Sequence, residues 1–267
     1  MLSIKFLFYF YGFIIAACFA SFYTTLGERI LKYFYTPLRK KYTFKEKWKI
    51  IFTKPSACEN CNKNVKAIHL TPMIGYLFTS GKCKSCGVKI SSHYPWIEFI
   101  FGILFCVFFY ASGNLLFSLA LLPFFGHVLV SMITDYKKFS LDYENLPFII
   151  FFGVISNYLF YREFPDLFDY AVLGGFIAFY ILLWLFYPRG IGLGDVIFAP
   201  AFAFLSGHPY WMIFLNSSYI LAVSWAFTFR KKGEAIRNMP IPMGFFFGLG
   251  ILLSFLAKAL QIMNFEI

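Results

Sequence analysis

Residues 167–187 read LFDYAVLGGFIAFYILLWLFY, and this stretch decides the fold. Asp169 is its only charged residue. A helix rises ~1.5 Å per residue, so about 20 apolar residues cross a hydrocarbon core of ~30 Å. Working outward, comparable runs lie at roughly 4–26, 96–112, 115–134, 146–161, 194–206, 209–229 and 241–262, with the sixth span of the series the shortest. The sequence therefore predicts an all-α polytopic membrane protein of about eight transmembrane helices. Composition agrees, because 60% of the 267 residues are hydrophobic and only 14% are charged. A soluble domain could not coat that much apolar surface with so few charges. Backbone groups in lipid must pair within the chain, which makes these runs helices. The alternating pattern of a membrane β-barrel is absent.

Charge supplies an orientation. Residues 27–92 hold 14 of the 24 Lys and Arg residues but only three of the 13 acids, Glu28, Glu46 and Glu59. The remaining basic and acidic residues balance, so the whole formal excess of +11 resides in one loop. Such a loop belongs on the cytoplasmic side. Threading eight spans from it also places Lys137, Lys138, Arg189, Arg230, Lys231, Lys232 and Arg237 inside. Only Lys5, Arg162 and Lys258 fall outside. Both termini are then expected outside. Solvated loop charges and attraction to anionic lipid account for the basic loop, and no nucleic-acid partner is expected.

The chain divides into a first transmembrane helix (1–26), a basic cytoplasmic loop (27–92) and a helical membrane bundle (93–267). Ile15-Ala16-Ala17-Cys18 has the look of a lipoprotein cleavage site. The apolar run continues to Leu26, however, and cleavage would delete a span and invert the charge-based topology, so an uncleaved helix is expected.

Within the loop, Cys58-Glu59-Asn60-Cys61 and Cys83-Lys84-Ser85-Cys86 form paired CxxC knuckles. Four thiolates in this arrangement suit a structural zinc ion in a small ribbon-like unit, with no open position for catalysis. A redox pair or disulfides are the alternative, and disulfides are disfavoured in a cytoplasmic loop. Cys18 and Cys106 lie in spans and are expected to pack.

Two acids stand at span edges. Asp195 closes Gly192-Leu193-Gly194-Asp195, and Asp135 ends an apolar run in Thr134-Asp135-Tyr136-Lys137. Charge at membrane depth costs roughly 2.5–3.5 kcal/mol, so it is kept mainly for chemistry. The charge-based threading puts both acids on the cytoplasmic side, which points to a shared site. Two carboxyls sharing one proton could activate water. Gly192 and Gly194 would let a backbone or helix approach closely. A turn with a capping Asp is the blander meaning. Asp142 and Glu144 are expected to serve as charges near the start of the next helix. His127, two turns before Asp135, is expected to hydrogen-bond inside the bundle. Glu98, early in the second span, reads equally as a helix charge or part of a ligand site.

Taken in order, these pieces resemble the prepilin peptidase (type IV leader peptidase) family, membrane aspartic proteases of the GxGD class. The ordered set is an N-terminal span, the paired CxxC loop, Tyr94-Pro95-Trp96-Ile97-Glu98, the first aspartate, the glycine-glycine-aspartate motif, and Ile241-Pro242-Met243-Gly244. The family's "GSFLNVVIYRLP" is altered here, with Tyr23 at its asparagine, and "IPDxLTLP" survives only as Ser140-Leu141-Asp142-Tyr143-Glu144-Asn145-Leu146-Pro147.

The resemblance implies that Asp135 and Asp195 are the catalytic pair and that Cys58, Cys61, Cys83 and Cys86 bind Zn2+. It further implies a bacterial inner-membrane enzyme that cleaves the basic leader from type IV prepilins or type II secretion pseudopilins at the cytoplasmic face. Such enzymes commonly methylate the new N-terminus with S-adenosylmethionine as well. The residues alone also admit a transporter or zinc-organised membrane scaffold with the aspartates as ion ligands. A GxGD protease without methyltransferase activity is a further alternative.

Overall fold

The computed structural model describes residues 2–188, 190–230 and 239–265, and side chains over 4–188, 190–230 and 239–261. Arg189, Lys231, Lys232 and Arg237, used above for orientation, lie outside the described residues. The described residues form helices joined by turns and two isolated β-bridges. They separate into two compact units, Met1–Tyr110 and Ala111–Ile267.

The first unit begins with α1 (Leu2–Phe34), which continues past residue 26 and through Gly27. Ile30, Leu31 and Tyr33 are buried, so packing carries the helix beyond its apolar run. Helix α2 (Phe44–Thr53) starts at a capping box in which Thr43 and Glu46 satisfy each other's backbone N–H groups. A short helix, α3 (Ile74–Phe78), precedes α4 (His93–Ser112). Helices α1 and α4 meet by reciprocal substitution of size. Phe105 of α4 lies on Gly12 of α1, and Phe13 of α1 lies on Gly102 of α4. A Cβ on either glycine would overlap the facing ring, which is the small-residue packing expected where lipid removes the hydrophobic drive between helices.

The second unit contains α5 (Leu115–Lys138), α6 (Leu146–Tyr161), α7 (Leu167–Phe186), α8 (Leu193–Ser206), α9 (Trp211–Phe229) and α10 (Met243–Phe265). Its interior is α8, whose Phe198–Ala203 run is buried together with Leu205 and Ser206. Aromatic contacts tie the bundle around it: Phe202 to Phe214 across α8 and α9, Phe214 to Phe247 across α9 and α10, and Phe124 to Phe255 across α5 and α10. Helix α7 buries only Tyr180 and exposes Ile177, Phe179, Leu182 and Leu185. An apolar face that wide belongs against lipid.

Among the described residues, six helices are long and apolar enough to cross a membrane by length and composition: α1, α4, α5, α7, α9 and α10. Helices α6 and α8 occupy the other two expected spans but run only 16 and 14 residues. A 14-residue helix rises ~21 Å, short of the full core, so its ends depend on its neighbours.

Candidate active site and metal centre

Asp135 lies in the last turn of α5. The helix stops four residues later because Phe139 adopts a left-handed conformation (φ 50°) and returns its N–H to the Asp135 carbonyl at 2.7 Å. Asp135 is 6% exposed, yet its carboxylate is not stranded. Its Oδ2 accepts the Phe245 N–H at 3.2 Å, and the Gly244 N–H also addresses it. These are amides of the first turn of α10. Asp135 thus performs from another helix the task of an N-cap side chain, at the positive end of the α10 dipole.

Asp195 sits in the first turn of α8. Its N–H donates to the Gly192 carbonyl at 3.0 Å, and its carboxylate receives the Gly192 N–H in return. The second carboxylate therefore also rests at a helix N-terminus. Asp135 and Asp195 are near enough to feel each other's charge.

Leu141 sets the spacing beside them. It is 4% exposed. A Cβ on Gly244 would lie 2.5 Å from Leu141 Cδ2 and 3.0 Å from Asp135 Cγ, and one on Gly194 would lie 3.1 Å from Leu141 Cδ1. Both glycines are needed because one leucine fills the space beside both helix starts. The loop carrying Leu141 is pinned to α5 by Asn145, whose amide donates to the His127 carbonyl at 2.6 Å and to Ser131 Oγ at 2.9 Å. His127 Nδ1 meets Asn145 Oδ1 at 2.6 Å. His127 is therefore a bundle hydrogen-bonding residue, as its sequence position suggested. Asp142 begins the 3-10 turn Tyr143–Asn145 without capping it through its side chain. Burial, and then the charge of Glu144, push its carboxyl up to about 6.

The four cysteines of the first unit converge, with all four sulfurs within 4.8 Å of one another. Cys58 Sγ lies 3.7 Å from Cys86 Sγ, and Cys61 Sγ lies 4.0 Å from Cys83 Sγ. Ligands at ~2.3 Å from a tetrahedral ion stand ~3.8 Å apart, so the cluster has the dimensions of a closed four-thiolate site and is too open for disulfides. The two knuckles repeat one another. Cys58 N–H donates to the Lys63 carbonyl as Cys83 N–H does to that of Val88. Asn62 and Gly87, each four residues after the first cysteine of its pair, take φ of 54° and 73°. Only glycine or a residue such as asparagine enters that region cheaply. The Val88 N–H and the Asn60 amide hold the Cys86 thiol down at about 6, which favours the thiolate a cation needs.

Glu98 falls in the second turn of α4 and takes no part in the cluster. It is buried and accepts the Met73 N–H at 2.7 Å, holding a turn in which Met73 has φ 57°. The backbone amides of Gly244 and Phe245 as partners of Asp135, and Leu141 as spacer, were not read from sequence. The only signal was the Pro-x-Gly at 242–244, a proline before a helix start.

Architecture and site together define a polytopic helical membrane protein with a paired-aspartate centre and a separate four-cysteine knuckle. Two family models match: the bacterial peptidase A24 N-terminal domain over residues 14–112, and the type IV leader peptidase family over residues 122–227. The chain belongs to the type IV leader peptidase family.

Curated relatives include three proteins named prepilin leader peptidase/N-methyltransferase. That of Bacillus subtilis (strain 168) is 27% identical over 260 residues, covering 96% of this chain and 94% of the relative. That of Legionella pneumophila is 29% identical over 213 residues, covering 75% and 71%. That of Stutzerimonas stutzeri is 28% identical over 206 residues, covering 73% and 68%. No solved structure matches the chain.

Proposed function

We propose that this protein is a membrane aspartic endopeptidase with Asp135 and Asp195 as its catalytic pair. In this reading it removes the basic leader from type IV prepilins or type II pseudopilins and N-methylates the new N-terminus with S-adenosylmethionine. The observation that carries the reading is that the two carboxylates, one at the N-terminus of α10 and one at that of α8, lie within electrostatic reach of one another. Backbone N–H groups and dipole ends at both aspartates would stabilise negative charge as it develops, without reorganisation.

One aspartate, ionised, takes a proton from water as the water oxygen bonds to the scissile carbonyl carbon. The other, protonated, donates to the carbonyl oxygen. The tetrahedral centre then collapses as one of its hydroxyls returns a proton to the second aspartate, the C–N bond breaks, and the first aspartate passes its acquired proton to the leaving amine. The pair titrates as a unit, so the two roles are shared.

The excess of positive charge in residues 27–92 supports a cytoplasmic knuckle and active site, with both termini outside, in a bacterial inner membrane. The sulfur spacing supports a structural zinc held by Cys58, Cys61, Cys83 and Cys86, which would fix the loop and take no part in hydrolysis. The methyl donor, when bound, would supply a methyl group to the deprotonated α-amine of the new N-terminus, its methyl–sulfur bond breaking to leave the neutral thioether.

Purified full-length protein with Asp135→Asn or Asp195→Asn should insert normally and release no leader from a prepilin in detergent. Leader removal at the normal rate by either variant refutes the aspartate reading.

A further inference from the structure

The loop between α5 and α6 carries a side chain that the aspartate mechanism does not use. Leu141 fixes this loop against the starts of α8 and α10, and Asn145 ties its far end to α5. Tyr143 lies between the two anchors. Its ring rests on Phe198, one turn beyond Asp195 in α8, with the ring centroids 6.2 Å apart. Phe198 is fully buried, so the support is rigid. Beside Asp135, Tyr136 stands in the same way against Phe245, whose N–H serves that aspartate. Each carboxylate is thus accompanied by a half-exposed tyrosine ring backed by a phenylalanine.

Three tyrosines lie within reach of the Asp195 charge, and they differ in what their hydroxyls can do. Those of Tyr180 on α7 and Tyr219 on α9 bond each other at 2.9 Å. Tyr143 is 46% exposed, and its hydroxyl has no hydrogen-bond partner among the described residues. Partial burial, and then the Asp195 charge, push this phenol above its ordinary pKa, so at neutral pH it keeps its proton and donates. The backbone donors described at the pair are already committed, Gly244 and Phe245 to Asp135 and Gly192 to Asp195. A peptide laid across the pair brings its own carbonyls out of water, and a carbonyl left without a donor there weakens binding.

We propose that Tyr143 is a substrate-binding residue of the peptidase, its ring walling the cleavage site beside Asp195 and its hydroxyl donating to a prepilin peptide carbonyl next to the scissile bond. The proposal rests on the peptidase reading above. Such a bond is made on binding and kept through the chemical step, so it lowers KM and leaves kcat alone. A hydroxyl that instead donated to Asp195 would act on kcat and on its pH dependence.

Tyr143→Phe tests this, because it keeps the ring on Phe198 and removes only the hydroxyl; a purely structural role therefore predicts no change. In steady-state cleavage of purified prepilin by the full-length protein in detergent, KM is expected to rise about fivefold while kcat holds. Prepilin affinity is measured without turnover by fluorescence anisotropy in an Asp135→Asn background, where adding Tyr143→Phe should weaken binding by about the same factor. Tyr170→Phe is the control: it changes an exposed tyrosine that packs on Phe204 near the far end of α8, and it should behave as wild type does.

Unchanged KM and affinity in Tyr143→Phe, in a protein that cleaves prepilin, overturn the proposal and leave the peptidase reading intact. A fall in kcat with a shifted pH profile and unchanged affinity also overturns it, in favour of a bond to Asp195. A wild-type protein that releases no leader overturns the peptidase reading, and this proposal with it.

Discussion

Gly244→Ala is the sharpest perturbation of the aspartate pair, because it adds one methyl group between two neighbours that have nowhere to go. The new Cβ would stand 2.5 Å from Leu141 Cδ2, 2.9 Å from Leu141 Cγ and 3.0 Å from Asp135 Cγ. Carbon atoms pack at ~3.5–4.0 Å, so something must withdraw by ~1 Å. Leu141 is buried and already presses toward Gly194, which blocks its retreat. The strain therefore falls on Asp135 and its 3.2 Å hydrogen bond from Phe245.

Overpacking of this kind costs about 1–3 kcal/mol of stability. A misplacement of ~1 Å at a reacting group costs about 100-fold in rate, or ~2.7 kcal/mol on the barrier. The expected result is a fall of about 100-fold in kcat/KM for prepilin cleavage, expressed in kcat, with zinc content unchanged. Leu141→Ala in the same chain removes the two tightest contacts. The double variant should then recover at least ~1 kcal/mol relative to the sum of the single effects. Wild-type kcat/KM in Gly244→Ala, or strict additivity in the double variant, refutes the packing argument.

Three further outcomes follow from other parts of the molecule. Asp142 ionises near pH 6 in the fold against ~3.9 in an unfolded chain, so its neutral form is the one that suits the folded loop. Its contribution to stability is complete below pH ~4 and is lost as pH rises through about 6. Asp142→Asn should therefore melt higher than wild type at pH 7, by at most ~3 kcal/mol, and equally at pH 4, as thermal unfolding across pH would reveal. Cys58→Ser breaks a four-sulfur cluster and should release its metal, and unchanged zinc by atomic absorption rejects the knuckle as a zinc site. Lys258 is 2% exposed, and its ammonium donates to Asn157 Oδ1 at 3.0 Å and to the Leu205 carbonyl near the end of α8 at 3.1 Å. Lys258→Ala should cost about 2–4 kcal/mol in detergent melts and Lys258→Met less, because Met keeps the packed stem; equal losses contradict this account.

Much of the architecture could be read from single residues. The apolar runs placed eight of the ten described α-helices, all but α2 and α3 of the polar loop, within a few residues, because length and hydrophobicity suffice when lipid is the solvent. The exception was the end of α1, which packing of Ile30, Leu31 and Tyr33 extends to Phe34. The knuckle was legible because four cysteines at that spacing have few other uses, whereas its left-handed turns at Asn62 and Gly87 came only from the structure, because asparagine and glycine are common in any loop.

For Asp135 and Asp195, sequence picked out the two acids that sit at the edges of apolar runs. What places them at one centre is tertiary. Asp135 finds its hydrogen-bond donor 110 residues away at Phe245, and Leu141 wedges beside Gly194 and Gly244 to set the gap. Periodicity and charge are properties of neighbouring residues, so a sequence displays them directly. Satisfying a buried carboxylate depends on which helix end arrives beside it, and only the packed bundle decides that.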